Sequence, residues 1–118
     1  MINKLEISGV HAKLDKETKT YTQNKVGRLD KYLPKSARAS AHAEVRLAIE
    51  NQKARKLYVC EVVLYLPHQE LVVKEKAANF ITAVDGAEAK LKVLLKKYKG
   101  RHGRDRLHHK LIGKIRRR

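Results

Sequence analysis

Between Ala41 and Lys76 the apolar residues fall at every second position or in short unbroken runs. From Leu14 to Leu33 and from Phe80 to Tyr98 they recur every three or four positions. A period of two lines one face of a strand, and a period near 3.6 lines one face of a helix. Leu5 and Ile7 alternate with Lys4 and Glu6, which predicts a first strand over residues 2–8 ended by Gly9. Leu14, Thr18, Thr22, Val26, Leu29 and Leu33 predict a helix over 15–33. Asp15 is its expected N-cap, and Pro34 closes it because the residue before proline avoids helical angles.

Ala41, Ala43, Val45, Leu47 and Ile49 then alternate with polar residues, as in a half-buried strand. Residues 51–55 read as a polar turn. Residues 57–66 are mostly apolar on both faces and read as a more central strand. Pro67 and His68 mark a turn into a third sequential strand over 71–76, completing a meander. Phe80, Ile81, Val84, Ala87, Leu91, Leu94, Leu95 and Tyr98 predict a long last helix, with Asn79 as N-cap and Gly100 and Gly103 at its end. Gly86 costs about 1 kcal/mol against alanine inside a helix and fits one that packs closely on the sheet. The order strand, helix, three strands, helix predicts a two-layer α+β domain, with both helices on one face of a four-stranded sheet. Residues 1–99 form that domain, and 100–118 form a basic tail expected to be flexible.

Charge sets the function class. The chain has 28 Lys and Arg against 12 Asp and Glu, a net charge of +16. A magnitude of about 2–8 suffices for the solubility of a small domain, so the excess points to a polyanionic partner. Half of the excess, +8, lies in residues 99–118. In the body, residues 39–76 carry only +1, so the predicted helices and not the sheet carry the useful charge. The candidate contacts are Lys25, Arg28, Lys31 and Lys35 on the first helix, and Lys90, Lys92, Lys96 and Lys97 on the last. Lys99, Arg101, Arg104 and Arg106 extend them into the tail. Lys25 with Arg28, and Lys31 with Lys35, are spaced to share a helix face. Two helices side by side would join the rows into one patch. Most of the five tyrosines and one phenylalanine sit where a core or its rim would use them. The mixed Glu44, Arg46 and Glu61 face of the sheet makes a poor base-stacking platform. Helices contacting phosphates fit better.

Other chemistry has little support. Cys60 is alone, which excludes an internal disulfide, and reads as a small buried hydrophobe. His102, His108 and His109 lack a carboxylate or cysteine cluster, so no metal site is expected. Asp85 and Glu88 are expected to favour the helix N-terminus or to pair with nearby bases. The sequence has no phosphate-binding glycine loop and no dinucleotide fingerprint, so neither an enzyme, a cofactor nor a small-molecule substrate is expected. It also lacks an apolar stretch near the roughly 18 residues of a membrane span, and its first residues lack a signal peptide's apolar run. The expected location is cytoplasmic.

The segment TQNKVGRLDKYLP, the order of elements and the segment NFITAVDGAEAKLKVLLKKYK together resemble the ribosome hibernation-promoting factor family. That family is also known as ribosome-associated inhibitor A, protein Y or sigma-54 modulation protein. The resemblance spans about residues 1–99 and rests most on Lys25 to Tyr32 and on the last helix. It implies a β-α-β-β-β-α fold like that of double-stranded-RNA-binding domains. It also implies binding to rRNA in the small ribosomal subunit, across the tRNA and mRNA sites, in stationary phase or stress. Lys25, Arg28, Lys90, Lys97 and Lys99 match the family's basic helix positions. Ile81 stands where the family usually has tyrosine, and Val93 at a position that is often basic. The second, dimerising domain of longer members is not expected in this length, and the basic tail is not transferable from the family. A permanent ribosomal structural protein and a general double-stranded-RNA-binding module are the alternatives.

Overall fold

A computed structural model describes residues 2, 4–10, 12–67 and 69–103, the last five by backbone alone. Strands β1 (Lys4–Val10), β2 (His42–Gln52), β3 (Arg55–Leu66) and β4 (Gln69–Ala77) form one sheet in the order β1-β2-β3-β4. β1 runs parallel to β2, and the other neighbours are antiparallel. Helices α1 (Lys16–Gly27) and α3 (Phe80–Gly103) cover one face, with the short α2 (Lys35–Arg38) between α1 and β2. This is the expected two-layer α+β architecture with its β2-β3-β4 meander.

The alternation in β2 sends Ala43, Val45 and Leu47 into the core, where they meet Cys60, Val62 and Leu64 of β3. From above, α3 supplies Val84, Ala87, Leu91 and Leu95, and α1 supplies Thr22 and Val26. The buried Thr22 hydroxyl donates to the Thr18 carbonyl at 2.7 Å, so no polar group is stranded there. Both expected N-caps form: Asp15 accepts from the Thr18 N–H and Asn79 from the Thr82 N–H, each at 2.8 Å.

Four boundaries differ from expectation. The helix expected over 15–33 stops at Gly27 and tightens into a 3₁₀ segment, Arg28–Tyr32. Leu33 is extended (φ −96°, ψ 147°), as a residue before proline must be, and Pro34 then opens α2. Lys31 and Lys35 therefore sit in separate elements and do not share a helix face. β1 does not end at Gly9 but continues to Val10. Glycine is needed there because a Cβ would run into the Ala12 carbonyl oxygen as the chain turns back. The expected turn over 51–55 shrinks to Lys53 and Ala54, because Gln52 pairs with Arg55 and Asn51 with Lys56. Finally, α3 continues past residue 99, after which the tail is expected, and reaches Gly103, one of the two glycines expected at its end.

Gly86 meets the expectation of a close approach. A Cβ there would lie 2.6 Å from Cγ and 2.7 Å from Oε2 of Glu75, the β4 residue beneath it. Glu75 in turn holds Lys90 of α3 at 3.0 Å.

Candidate nucleic-acid interface

α1 and α3 lie side by side on the sheet, and the seam between them orders the basic groups. Tyr21 of α1 is half-buried there and donates its hydroxyl to Asp85 of α3. That bond, with some burial, pushes the Tyr21 pKa up to about 12, so the donor stays protonated through neutral pH. Lys25 sits one turn further along α1, 3.7 Å from the same carboxylate and 5.9 Å from the Tyr21 ring centre. Further along, Tyr32 takes the place of Tyr21. Its ring centre lies 5.3 Å from Nζ of Lys31 and 5.7 Å from Nζ of Lys92, which reaches it from α3. Cation–π contacts at such exposed sites are worth about 0.5–1 kcal/mol each. Lys92 also lies 3.9 Å from Glu88, one turn earlier on its own helix.

The structure thus gathers Lys25, Lys31 and Lys92 along one seam, with exposed Arg28 and Lys96 at its borders. Lys90 and Lys97 do not join them. Residues two apart on a helix point some 200° apart, as 3.6 residues per turn requires. Lys90 therefore leans to the β4 side, against Glu75, and Lys97, two turns on, follows it. Lys35 is exposed on α2. Lys99 and Arg101 continue α3 by backbone, while Arg104 and Arg106 lie outside the described residues. The seam's two tyrosines are rim positions, as the sequence placed them. Their role as cation platforms was missed, because it depends on a neighbour from another helix. Asp85 and Glu88 pair with bases, as expected.

Over residues 16–38 and 80–98 the helix layer carries eleven Lys and Arg against four acids. Two of those acids, Asp85 and Glu88, are turned toward the seam or along α3. The outward surface is left positive. The opposite face of the sheet is different. The register puts Lys4, Arg46, Lys74 and Lys76 there with Glu6, Glu44, Glu50, Glu61 and Glu70, a nearly neutral mosaic. Cys60, wholly buried, has its thiol pushed up to about 12 by desolvation, which suits a core filler and not a nucleophile. Among the described residues no helix is long and apolar enough to cross a membrane.

Three comparisons bear on this arrangement. The chain is similar to a ribosome hibernation promotion factor of Lactococcus lactis, 28% identical over 101 residues. That match covers 86% of this chain but 52% of the relative, so the chain spans about half the relative's length. Its fold is similar to the Protein Y N-terminal domain of Thermus thermophilus, with a TM-score of 0.66 and 22% identity over 79% of this chain and 94% of that one. It is also similar to a ribosomal subunit interface protein from Coxiella burnetii, with a TM-score of 0.68 and 16% identity over 82% of this chain and 98% of that one. The family model described as sigma 54 modulation protein / S30EA ribosomal protein matches residues 5–103, nearly the whole described fold, and the chain belongs to that family.

Proposed function

We propose that this protein binds the small ribosomal subunit through its helix face and holds idle ribosomes out of translation under stress or in stationary phase. The domain over residues 1–99 occupies the rRNA-lined channel that tRNA and mRNA also need, and the basic segment from residue 100 adds grip. The observation that carries this reading is the excess of base in the helix layer, eleven Lys and Arg against four acids, beside a nearly balanced outer face of the sheet. Lys25, Arg28, Lys31, Lys35, Lys92 and Lys96 meet phosphates from the α1–α3 side. Lys90 and Lys97 meet them from the β4 flank, and Lys99, Arg101, Arg104 and Arg106 beyond. Structured RNA is held mainly through its shape and backbone, which such a surface suits. The family supports the ribosome as the partner.

The test is co-sedimentation of the full chain with purified small subunits. Arg28, Lys31, Lys96 and Lys97 are exposed and lie in no ion pair among the described residues, so all four can be reversed to glutamate without opening the fold. Binding is expected to fall by about 10²-fold or more, with a shallower salt dependence, since each lost phosphate contact removes nearly one unit of slope. Unaltered co-sedimentation would overturn the proposal.

A further inference from the structure

The β2–β3 hairpin carries basic charge that the helix face does not use. β1 last pairs with Ala48 and β4 last pairs with Tyr58, so residues 50–52 and 55–57 pair only with each other and project past the sheet. The arm and its turn hold Lys53, Arg55 and Lys56, all exposed. No carboxylate pairs with these three among the described residues. Arg55 and Lys56 also line a shallow recess of about 350 Å³ with Lys76, its floor made by Leu57, Ala77 and Ala78.

The turn is built at a cost to the backbone. Lys53 has φ 54° and is the only non-glycine residue with positive φ among the described residues. A two-residue hairpin turn with positive φ at its first position alone is of type II′, where glycine normally sits. A lysine there strains the backbone and places an ammonium at the farthest point of the arm. Stability by itself would favour glycine.

The arm also sits at a different end from the helix-face contacts. Because β1 and β2 are parallel, the hairpin lies at the end of the sheet where α1 and α3 begin. Lys31, Lys96 and Lys97 lie at the end where α1 gives way and α3 finishes.

We propose that the hairpin tip is a second RNA-backbone contact, in which Lys53, Arg55 and Lys56 bind phosphates at the end of the domain opposite Lys96 and Lys97. This deepens the ribosome-binding reading and rests on it for the identity of the RNA. Charge complementarity selects RNA phosphate, and the apolar floor beside Lys76 accommodates a sugar or base edge.

The experiment measures binding of the full chain to purified small ribosomal subunits over a range of salt. Three forms are compared with wild type: Lys53→Ala/Arg55→Ala/Lys56→Ala, Lys53→Gly, and the helix-face quadruple reversal. The triple variant is expected to lower the slope of log affinity against log salt by up to about 3, near one per phosphate contact. Lys53→Gly is expected to lower it by about 1 while raising the thermal midpoint, because the strain is relieved. A triple variant with the wild-type slope overturns the inference, as does Lys53→Gly with a lowered midpoint and full binding. If the quadruple reversal binds like wild type while the triple variant loses slope, the helix-face reading fails and the hairpin contact stands. Loss of binding to anionic phospholipid vesicles with an unchanged slope on subunits also overturns it.

Discussion

On the outer face of the sheet Arg46 lies 3.2 Å from Glu61 and Lys76 lies 3.1 Å from Glu50, while Glu44 accepts the Tyr65 hydroxyl at 2.8 Å. Acids there lie beside bases on one surface and cancel them. Beneath and between the helices, two acids stand at joints instead. Asp85 ties α3 to α1, and Glu75 ties α3 to β4. These acids pair with Lys25 and Lys90, but they are few, and most of the outward charge of the helix layer has no acid beside it. A small domain can thus be highly basic on one face and still hold its two helices together. The contrast is testable at each joint and on the sheet.

The largest effect is expected at the α1–α3 joint. Tyr21→Phe keeps the ring and deletes the hydroxyl that donates to Asp85. Losing a hydrogen bond to a charged partner costs about 1.5–3 kcal/mol, with the lower end expected at this half-buried site. The pH dependence gives a second readout. The Tyr21 pKa rises from an ordinary 10.0 to about 12 in the fold. The folded state thus holds the proton more tightly, so this contribution is complete below pH 10 and fades as pH climbs toward 12. Urea titrations at several alkaline pH values are expected to show wild type losing stability faster than Tyr21→Phe. Parallel pH profiles would mean that Asp85 is no joint.

Gly86 and Glu75 come next. In wild type, Gly86→Ala drives a methyl group onto Glu75, which must leave its place and release Lys90. The roughly 1 kcal/mol of helix propensity that alanine brings is then offset. With Glu75→Ala already present, the three nearest obstructing atoms are gone and the same change is expected to stabilise by about 1 kcal/mol. A double-mutant cycle by denaturant unfolding reads the coupling, and additive single changes would remove Glu75 from the role of a joint.

These joints explain how much of the molecule was legible in its sequence. β2 and α3 were readable because their apolar spacing is long and regular. The meander followed from short polar interruptions, and both N-caps from single side chains before periodic runs. The break after Gly27 was not readable. Val26 and Leu29 keep helical spacing across it, and a 3₁₀ turn still buries Leu29. The hairpin was read too short because Asn51, Gln52, Arg55 and Lys56 are all polar, and a ribbon that leaves the core shows no alternation. Of the site, the charges were visible but their grouping was not. Lys90 and Lys92 look like neighbours in the chain, and only the positions of Glu75 and Tyr32 show that they serve opposite flanks of α3.

The smallest effect is expected on the outer face, and it separates placement of charge from amount. Glu44→Gln with Glu61→Gln raises the net charge of +16 by two units, yet puts the added charge where no contact is assigned. Arg46 loses its partner at 3.2 Å, an exposed pair worth about 0–1 kcal/mol, so the fold is expected to lose little. If the chain binds the proposed small subunit by bulk electrostatics, affinity rises with the extra charge, and most at low salt, where screening is weakest. If the helix layer and the hairpin tip make the contacts, affinity stays within about twofold and the salt slope stays fixed, because the number of neutralised phosphates is the same. A slope steepened by the two sheet substitutions would erase the distinction between the faces. A slope unchanged by them, beside one made shallower by reversing Arg28, Lys31, Lys96 and Lys97, would assign binding to where the charge sits.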